Sequence, residues 1–253
     1  MEGMRMAELD GRTAIVTGGG SGIGAAIAER LAQDGAHVRV ADVNEAAARA
    51  VAERIGGEAW VVDLSNTAAL GSLSLECDIL VNNAGIQRVA PIEELEPEMF
   101  HRILAIMLEA PFLLIRAALP HMYASGWGRI VNVSSVHGIR ASEYKSAYVT
   151  AKHGLEGLSK TTALEGAPHG VTSNCINPGY VRTPLVEKQI ADQARIHDIA
   201  PEDVVETVLL ERAAIKRLVE PEDVASLVGW LASDHAAMVT GASYTMDGGW
   251  SAS

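Results

Sequence analysis

The stretch Thr17-Gly18-Gly19-Gly20-Ser21-Gly22-Ile23-Gly24 follows directly on an apolar run, residues 13–17. It leads at once into residues 23–34, where Ile27, Leu31 and several alanines recur at helical spacing. A strand, a glycine-rich turn and a helix start in immediate succession form a cradle for a pyrophosphate. The glycines permit the tight turn, let backbone approach the phosphates and allow the helix to pack closely on the strand. The first helical N–H groups and the positive end of the helix dipole then face the anion. A second apolar run, 37–42, ends in Asp42, 18 residues beyond Gly24. That is close to the spacing of roughly 20 at which a carboxylate accepts from an adenosine ribose. Together these features predict dinucleotide binding; the alternative is a glycine-rich loop with no ligand. The charge of Asp42 would repel a ribose 2′-phosphate, and no basic residue within 18–24 offsets it, so NAD is expected over NADP. Arg39, three residues earlier, points to the opposite strand face and reads as surface charge.

Outward from this turn, short β-rich runs alternate with Ala-rich amphipathic segments. Strands are expected at 13–17, 37–42, 58–63, 78–82, 129–134, 172–177 and 243–246, with longer helices at 96–123 and 147–166. The alternation predicts an α/β fold of the Rossmann type, a doubly wound parallel sheet of about seven strands. No repeat or low-complexity linker interrupts it, so the chain 1–253 reads as one domain. Between the turn signals Pro178-Gly179 and Pro221, the mostly helical segment 185–216 is longer than the dozen or so residues a plain crossover needs. Its place beyond the carboxyl end of a strand suits a substrate lid.

Hydrophobic residues make up 48% and charged residues 21% of the chain, which excludes disordered, collagen-like and coiled-coil classes. A formal net charge of −12 repels phosphate backbones and anionic lipid, so no nucleic-acid or membrane partner is expected. An anionic small molecule would then need a local cationic pocket. Cys77 and Cys175 lie in apolar runs without metal or redox spacing and read as reduced, buried thiols. No His, Cys and acidic cluster has ligand spacing, so no metal is expected. Residues 1–10 lack the apolar segment of a signal peptide, and the stretch 103–120 is interrupted by Glu109, Pro111 and Arg116. A soluble, cytoplasmic protein is the expectation.

Tyr148 and Lys152 stand four apart in a helical segment and share one face. An ammonium there would stabilise tyrosinate and make the phenol a usable acid/base. Ser135, just past the fifth strand, could hydrogen-bond a substrate oxygen beside that phenol, and all three fall on the carboxyl side of the sheet, where cofactors bind.

With these residues in order, the chain resembles the short-chain dehydrogenase/reductase family from end to end. The matching elements are Thr17-Gly18 with Gly22 and Gly24, Asp63, Asn82-Asn83-Ala84-Gly85, Ser135, Tyr148 with Lys152, and Pro178-Gly179 with Thr183. The resemblance implies a cofactor site of Gly18, Ser21, Gly22, Ile23, Gly24, Asp42, Asp63, Leu64, Asn83, Ala84, Gly85, Tyr148, Lys152, Pro178, Gly179, Val181 and Thr183. Asp63 and Leu64 would border the adenine, and Thr183 would hold the nicotinamide carboxamide. It also implies that Tyr148 is the acid/base, Lys152 its modulator and ribose anchor, and Ser135 the positioner of the substrate carbonyl. The family's fourth catalytic residue, an Asn supporting a helix kink whose carbonyl binds a relay water, falls at Met107 here, so a modified relay is expected.

Within the family the residues are most similar to the bacterial D-3-hydroxybutyrate dehydrogenases. The likeness rests on Gly85-Ile86-Gln87, Ser135-Val136-His137-Gly138, Lys145-Ser146-Ala147-Tyr148, the run VRTPLVEKQI at 181–190, and Asp247-Gly248-Gly249-Trp250. It implies that Gln87, His137, Lys145 and Gln189 ring a substrate carboxylate, and that Ser135, Tyr148, Tyr180 and Trp250 complete the pocket. Tyr180 stands where those enzymes commonly carry Trp. The expected activity is reversible NAD-dependent oxidation of (R)-3-hydroxybutyrate to acetoacetate, in a homotetramer as is usual for the family. Three alternatives stay open: another small secondary alcohol or hydroxy acid as substrate, an NADP-dependent ketone reductase, and a non-catalytic nucleotide-binding relative.

Overall fold

The computed structural model describes residues 8–184, 186–187, 190, 194–195 and 198–252. Its seven strands are β1 Thr13–Thr17, β2 His37–Asp42, β3 Glu58–Val61, β4 Ile79–Asn82, β5 Gly128–Val133, β6 Val171–Pro178 and β7 Ser243–Met246. They form one sheet in the order β3-β2-β1-β4-β5-β6-β7, with every neighbouring pair parallel. The order reverses direction between β1 and β4, which opens a crevice at their carboxyl ends.

Helices cover both faces, because each strand of a parallel sheet buries side chains on both sides. α1 Gly22–Gln33, α2 Glu45–Ile55 and α8 Pro221–Ala232 pack Ile27, Leu31, Val51, Val224 and Val228 against Val16, Val40 and Val131. On the opposite face, α4 Pro97–Leu104, α5 Ala110–Ser125 and α6 Ser146–Gly166 pack Ile103, Leu114, Met122 and Ala151 against Ile15, Leu80 and Ile130. Two one-turn helices, α3 Thr67–Leu70 and α7 Pro201–Val204, also occur among the described residues. By length and composition alone, residues 97–125 could cross a membrane; half of their most apolar window is buried inside this fold.

Most boundaries shift by a residue or two from the sequence expectation, and in three elements the cause is visible. β3 is an edge strand whose partner β2 ends at Asp42, opposite Val61; the Val62 N–H makes the last bond, to the Asp42 carbonyl, and the strand stops short of Asp63. β4 starts one residue late because the Asp78 carboxylate turns back to accept from the Thr13 N–H and hydroxyl. The helix 96–123 begins at Pro97, runs to Ser125 and is broken by a π-helical segment at Ala105–Glu109. Pro111 has no N–H to donate to the Met107 carbonyl, its partner in a regular helix, and so supplies a local cause for the irregularity.

Candidate active site

The carboxyl ends of β1, β2, β4, β5 and β6 converge on a cleft of about 540 Å³. At its floor the glycine turn is fastened to β2: Gly19 N–H donates to the Ala41 carbonyl at 3.1 Å and Gly20 N–H to Asp42 Oδ2 at 3.0 Å. Asp42 Oδ1 accepts in turn from Asn44 N–H at 2.9 Å. Gly18 and Gly22 adopt φ of +62° and +52°, the left-handed region that glycine enters without a Cβ penalty. A Cβ at Gly24 would run into the Gly18 carbonyl oxygen and lie 2.6 Å from Asn83 Nδ2. Gly24 therefore sits beneath the loop and permits close packing without lining the cleft.

The cofactor fit is tested by the start of α1. No side chain caps it and no acidic residue stands in its first turn, so its orphan N–H groups are left for a pyrophosphate. From β4, Asn83 Nδ2 donates to the Thr17 carbonyl at 2.9 Å, and the Thr17 hydroxyl accepts from the N–H groups of Asn83 and Ala84. These bonds hold Asn83, Ala84 and Gly85 along the cleft opposite the glycine turn. Asp63 lines the distal end with Leu64; the Ser65 hydroxyl and N–H hold its carboxyl below the usual range. Thr183 closes over Gly22 from the β6 side, where Pro178, Gly179 and Val181 also line the wall. A nicotinamide dinucleotide fits this elongated, N–H-lined site.

At the other end stand Ser135, Tyr148 and Lys152. Ser135 follows β5 and is pinned by Asn177 Nδ2, which donates to its carbonyl at 2.9 Å and to the buried Glu156 carboxylate at 2.6 Å. Lys152 Nζ donates to the Val133 carbonyl at 2.6 Å and lies 5.6 Å from the Tyr148 ring centre. Burial pushes the Tyr148 phenol up to about 12, opposed by a hydrogen bond from Ser135. Burial pushes Lys152 down to about 8, and neighbouring Cys175 and Glu156 act in the opposite direction. Asn177 and Glu156 went unrecognised in the sequence, although Glu156 is four residues beyond Lys152 on the same helix face, an acid among buried positions.

The substrate end is polar on one side. His137 Nδ1 lies 3.3 Å from Ser135 Oγ and its Nε2 lies 2.9 Å from Ser142 Oγ. Burial, then Lys145, hold its imidazole down to about 3. Lys145 is only 3% exposed and donates to the Tyr180 hydroxyl at 3.1 Å. Burial brings its ammonium down to about 8, and no carboxylate pairs with it among the described residues. It follows Tyr144, whose φ of +64° is costly outside glycine and whose carbonyl is held by Ala90 N–H at 2.9 Å. Gln87 and Tyr180 share this wall.

One expected substrate contact lies elsewhere. Trp250 is outside the cleft lining: Asp247 accepts from the N–H groups of Gly249 and Ser251, and the resulting turn packs the indole 5.8 Å from the His137 ring and against Val136 and Leu210. It therefore backs His137 from behind the cleft. Gln189 lies outside the described residues. Met107 lines the cleft with its side chain beside Gly85, within the π-helical segment, so the kink forms without an Asn. Arg102 also reaches the lining near Asp63, which the sequence reading missed. Arg39 pairs with Glu58 at 3.5 Å away from the cleft. Among the described residues no group of three or more His, Cys, Asp or Glu could hold a metal ion.

A glycine-turn cradle joined to a Ser, Tyr and Lys constellation defines an oxidoreductase that acts through a nicotinamide cofactor. A family model described as enoyl-(acyl carrier protein) reductase matches residues 18–251. A D-beta-hydroxybutyrate dehydrogenase of Rhizobium meliloti is 46% identical over 95% of this chain and 99% of its own. One from Cupriavidus necator is 44% identical over 96% and 98%. A crystal structure from Beutenbergia cavernae, described as an NAD(P)-dependent gluconate 5-dehydrogenase with bound NADP at low occupancy, superposes with a TM-score of 0.84. It shares 36% identity and covers 98% of this chain and 100% of its own. The chain belongs to the short-chain dehydrogenase/reductase family and is an NAD(P)-dependent dehydrogenase.

Proposed function

We propose that the protein oxidises (R)-3-hydroxybutyrate to acetoacetate, reversibly, with NAD as its preferred cofactor. The observation that carries this reading is Lys145, a buried ammonium beside Ser135, His137 and Tyr148 with no carboxylate partner among the described residues. A buried, unpaired charge is costly, and a substrate carboxylate next to the reacting carbon would pair it. The two D-beta-hydroxybutyrate dehydrogenases add support through their names and identity.

In the oxidative direction the Tyr148 phenolate takes the hydroxyl proton of the substrate. Ser135 donates a hydrogen bond to the same oxygen and fixes the carbinol carbon, and the Lys152 ammonium favours the phenolate. When bound, the nicotinamide supplies the acceptor for the hydride that leaves this carbon. Lys145, Gln87 and His137 hold the carboxylate end, and burial of the site excludes water. Gln189, in the segment expected to form a lid, belongs to the same proposed carboxylate set. The preference for NAD is supported by Asp42, whose carboxylate stands at the floor of the cleft where a 2′-phosphate would be repelled. A cytoplasmic homotetramer is part of this reading.

The test is NADH formation from (R)-3-hydroxybutyrate beside its (S) enantiomer and neutral 2-butanol, repeated with NADP. Stereospecific turnover with a higher kcat/KM for NAD is the expected result. Binding of NADH without turnover of any of the three would overturn the reading.

A further inference from the structure

The Lys145 and Tyr180 pair carries more than a charge on a pocket wall. An ammonium has three donors and no acceptor, so in the 3.1 Å bond between them the phenol oxygen must accept. The Tyr180 proton is then directed elsewhere, and no acceptor for it occurs among the described residues. The ring is held from two sides. It packs against one apolar cluster around Val136, Leu210 and Trp250 and a second around Val186, Val204 and Leu209. Its hydroxyl is thus a fixed donor at the cleft wall, adjacent to an ammonium whose centre lies 5.0 Å from the ring centre.

We propose that the Tyr180 hydroxyl and the Lys145 ammonium form a two-donor clamp that takes one oxygen each of a short hydroxy acid's carboxylate, making Tyr180 a specificity-determining residue. The inference rests on the proposed function. Lysine alone attracts an anion as a point charge and imposes little geometry. A second, neutral donor at a fixed angle selects a planar group with two acceptor oxygens and adds no further buried charge. The clamp therefore favours a carboxylate over a single carbonyl or hydroxyl at that position.

Tyr180→Phe keeps the ring and its packing and removes only the hydroxyl. The experiment measures KM and kcat for (R)-3-hydroxybutyrate and 2-butanol with NAD in the wild type, Tyr180→Phe, Lys145→Met and the double variant. One hydrogen bond to a charged acceptor corresponds to a roughly tenfold or larger effect. Tyr180→Phe should therefore raise KM for the hydroxy acid about tenfold, with a smaller change in kcat. Its kcat/KM for the acid relative to 2-butanol should fall by a similar factor. Because the two donors act as a unit, the double variant should lose much less than the product of the single losses. An unchanged KM in Tyr180→Phe, or an equal loss on both alcohols, overturns the clamp while leaving the proposed function standing. A wild type that turns over 2-butanol but no hydroxy acid overturns both.

Discussion

Replacing Lys145 with Met should make the ligand-free protein more stable while weakening its hold on a carboxylate. The ammonium is buried, and its folded-state value is about 8 against 10.5 for an ordinary lysine. Below about pH 8 both folded and unfolded chains carry the proton, and the folded chain bears the full penalty of burying it. Between the two values the unfolded chain binds the proton and the folded one does not, so stability rises with pH there. Above the ordinary value the penalty is gone. The gap corresponds to roughly 3 kcal/mol at neutral pH. Losing the bond to Tyr180 offsets about 1 kcal/mol of that, and Met fills the volume of the lysine stem. A net gain of about 2 kcal/mol should raise Tm by about 4–8 °C for a chain of this size. Thermal melts of both proteins at about pH 7 and about pH 10 would measure it, with the advantage of the variant shrinking at the higher pH. Added hydroxy acid should stabilise only the wild type and narrow the gap. A variant that melts below the wild type at pH 7, or a gap independent of pH, would refute the assignment of Lys145 as an uncompensated buried charge.

Two further substitutions separate chemistry from cofactor binding. Tyr148→Phe should lower kcat by about a hundredfold to ten-thousandfold, the usual worth of an acid/base, while the NADH dissociation constant measured by fluorescence stays within a few-fold. Gly24→Ala forces a Cβ into the Gly18 carbonyl oxygen, which is backbone and cannot step aside. It should cost about 1–3 kcal/mol in urea unfolding and weaken NADH binding at least tenfold.

The sheet was legible in the sequence because each strand is a short apolar run bounded by glycine, proline or an acid. The misplaced end of β3 has a plain cause: Val62 is apolar, but strand length at a sheet edge is set by the neighbour, and β2 stops at Asp42. The glycine turn, Asp42, and the order Ser135, Tyr148, Lys152 also read directly, since adjacent residues or fixed spacings carry them. What the sequence hid depends on contacts between distant segments. Lys145 and Tyr180 are 35 residues apart, so neither spacing nor residue type announces their bond. Trp250 reads as a pocket residue until the Asp247 carboxylate and the positive φ of Gly248 and Gly249 turn it behind His137. The π-helical segment leaves almost no trace, because apolar positions fill it up to Glu109, its last residue. Pro111 is its sole local signal, and in the sequence it reads only as an interruption of an apolar stretch. Tyr144 gives none: nothing in its side chain prefers the left-handed backbone that surrounding bonds impose on it.

Asp42 is bound at both oxygens to its own chain, one to the glycine turn and one to the start of the segment leading into α2. The residue proposed to discriminate between nicotinamide cofactors is therefore also the one that fastens the phosphate cradle to the sheet. For a lineage drifting from one cofactor towards the other, a single change at this position would remove the filter and loosen the cradle together. Such a transition has to recruit a replacement fastening for the Gly20 and Asn44 amides at the same time, which makes a change of cofactor at this position hard to reach by single steps.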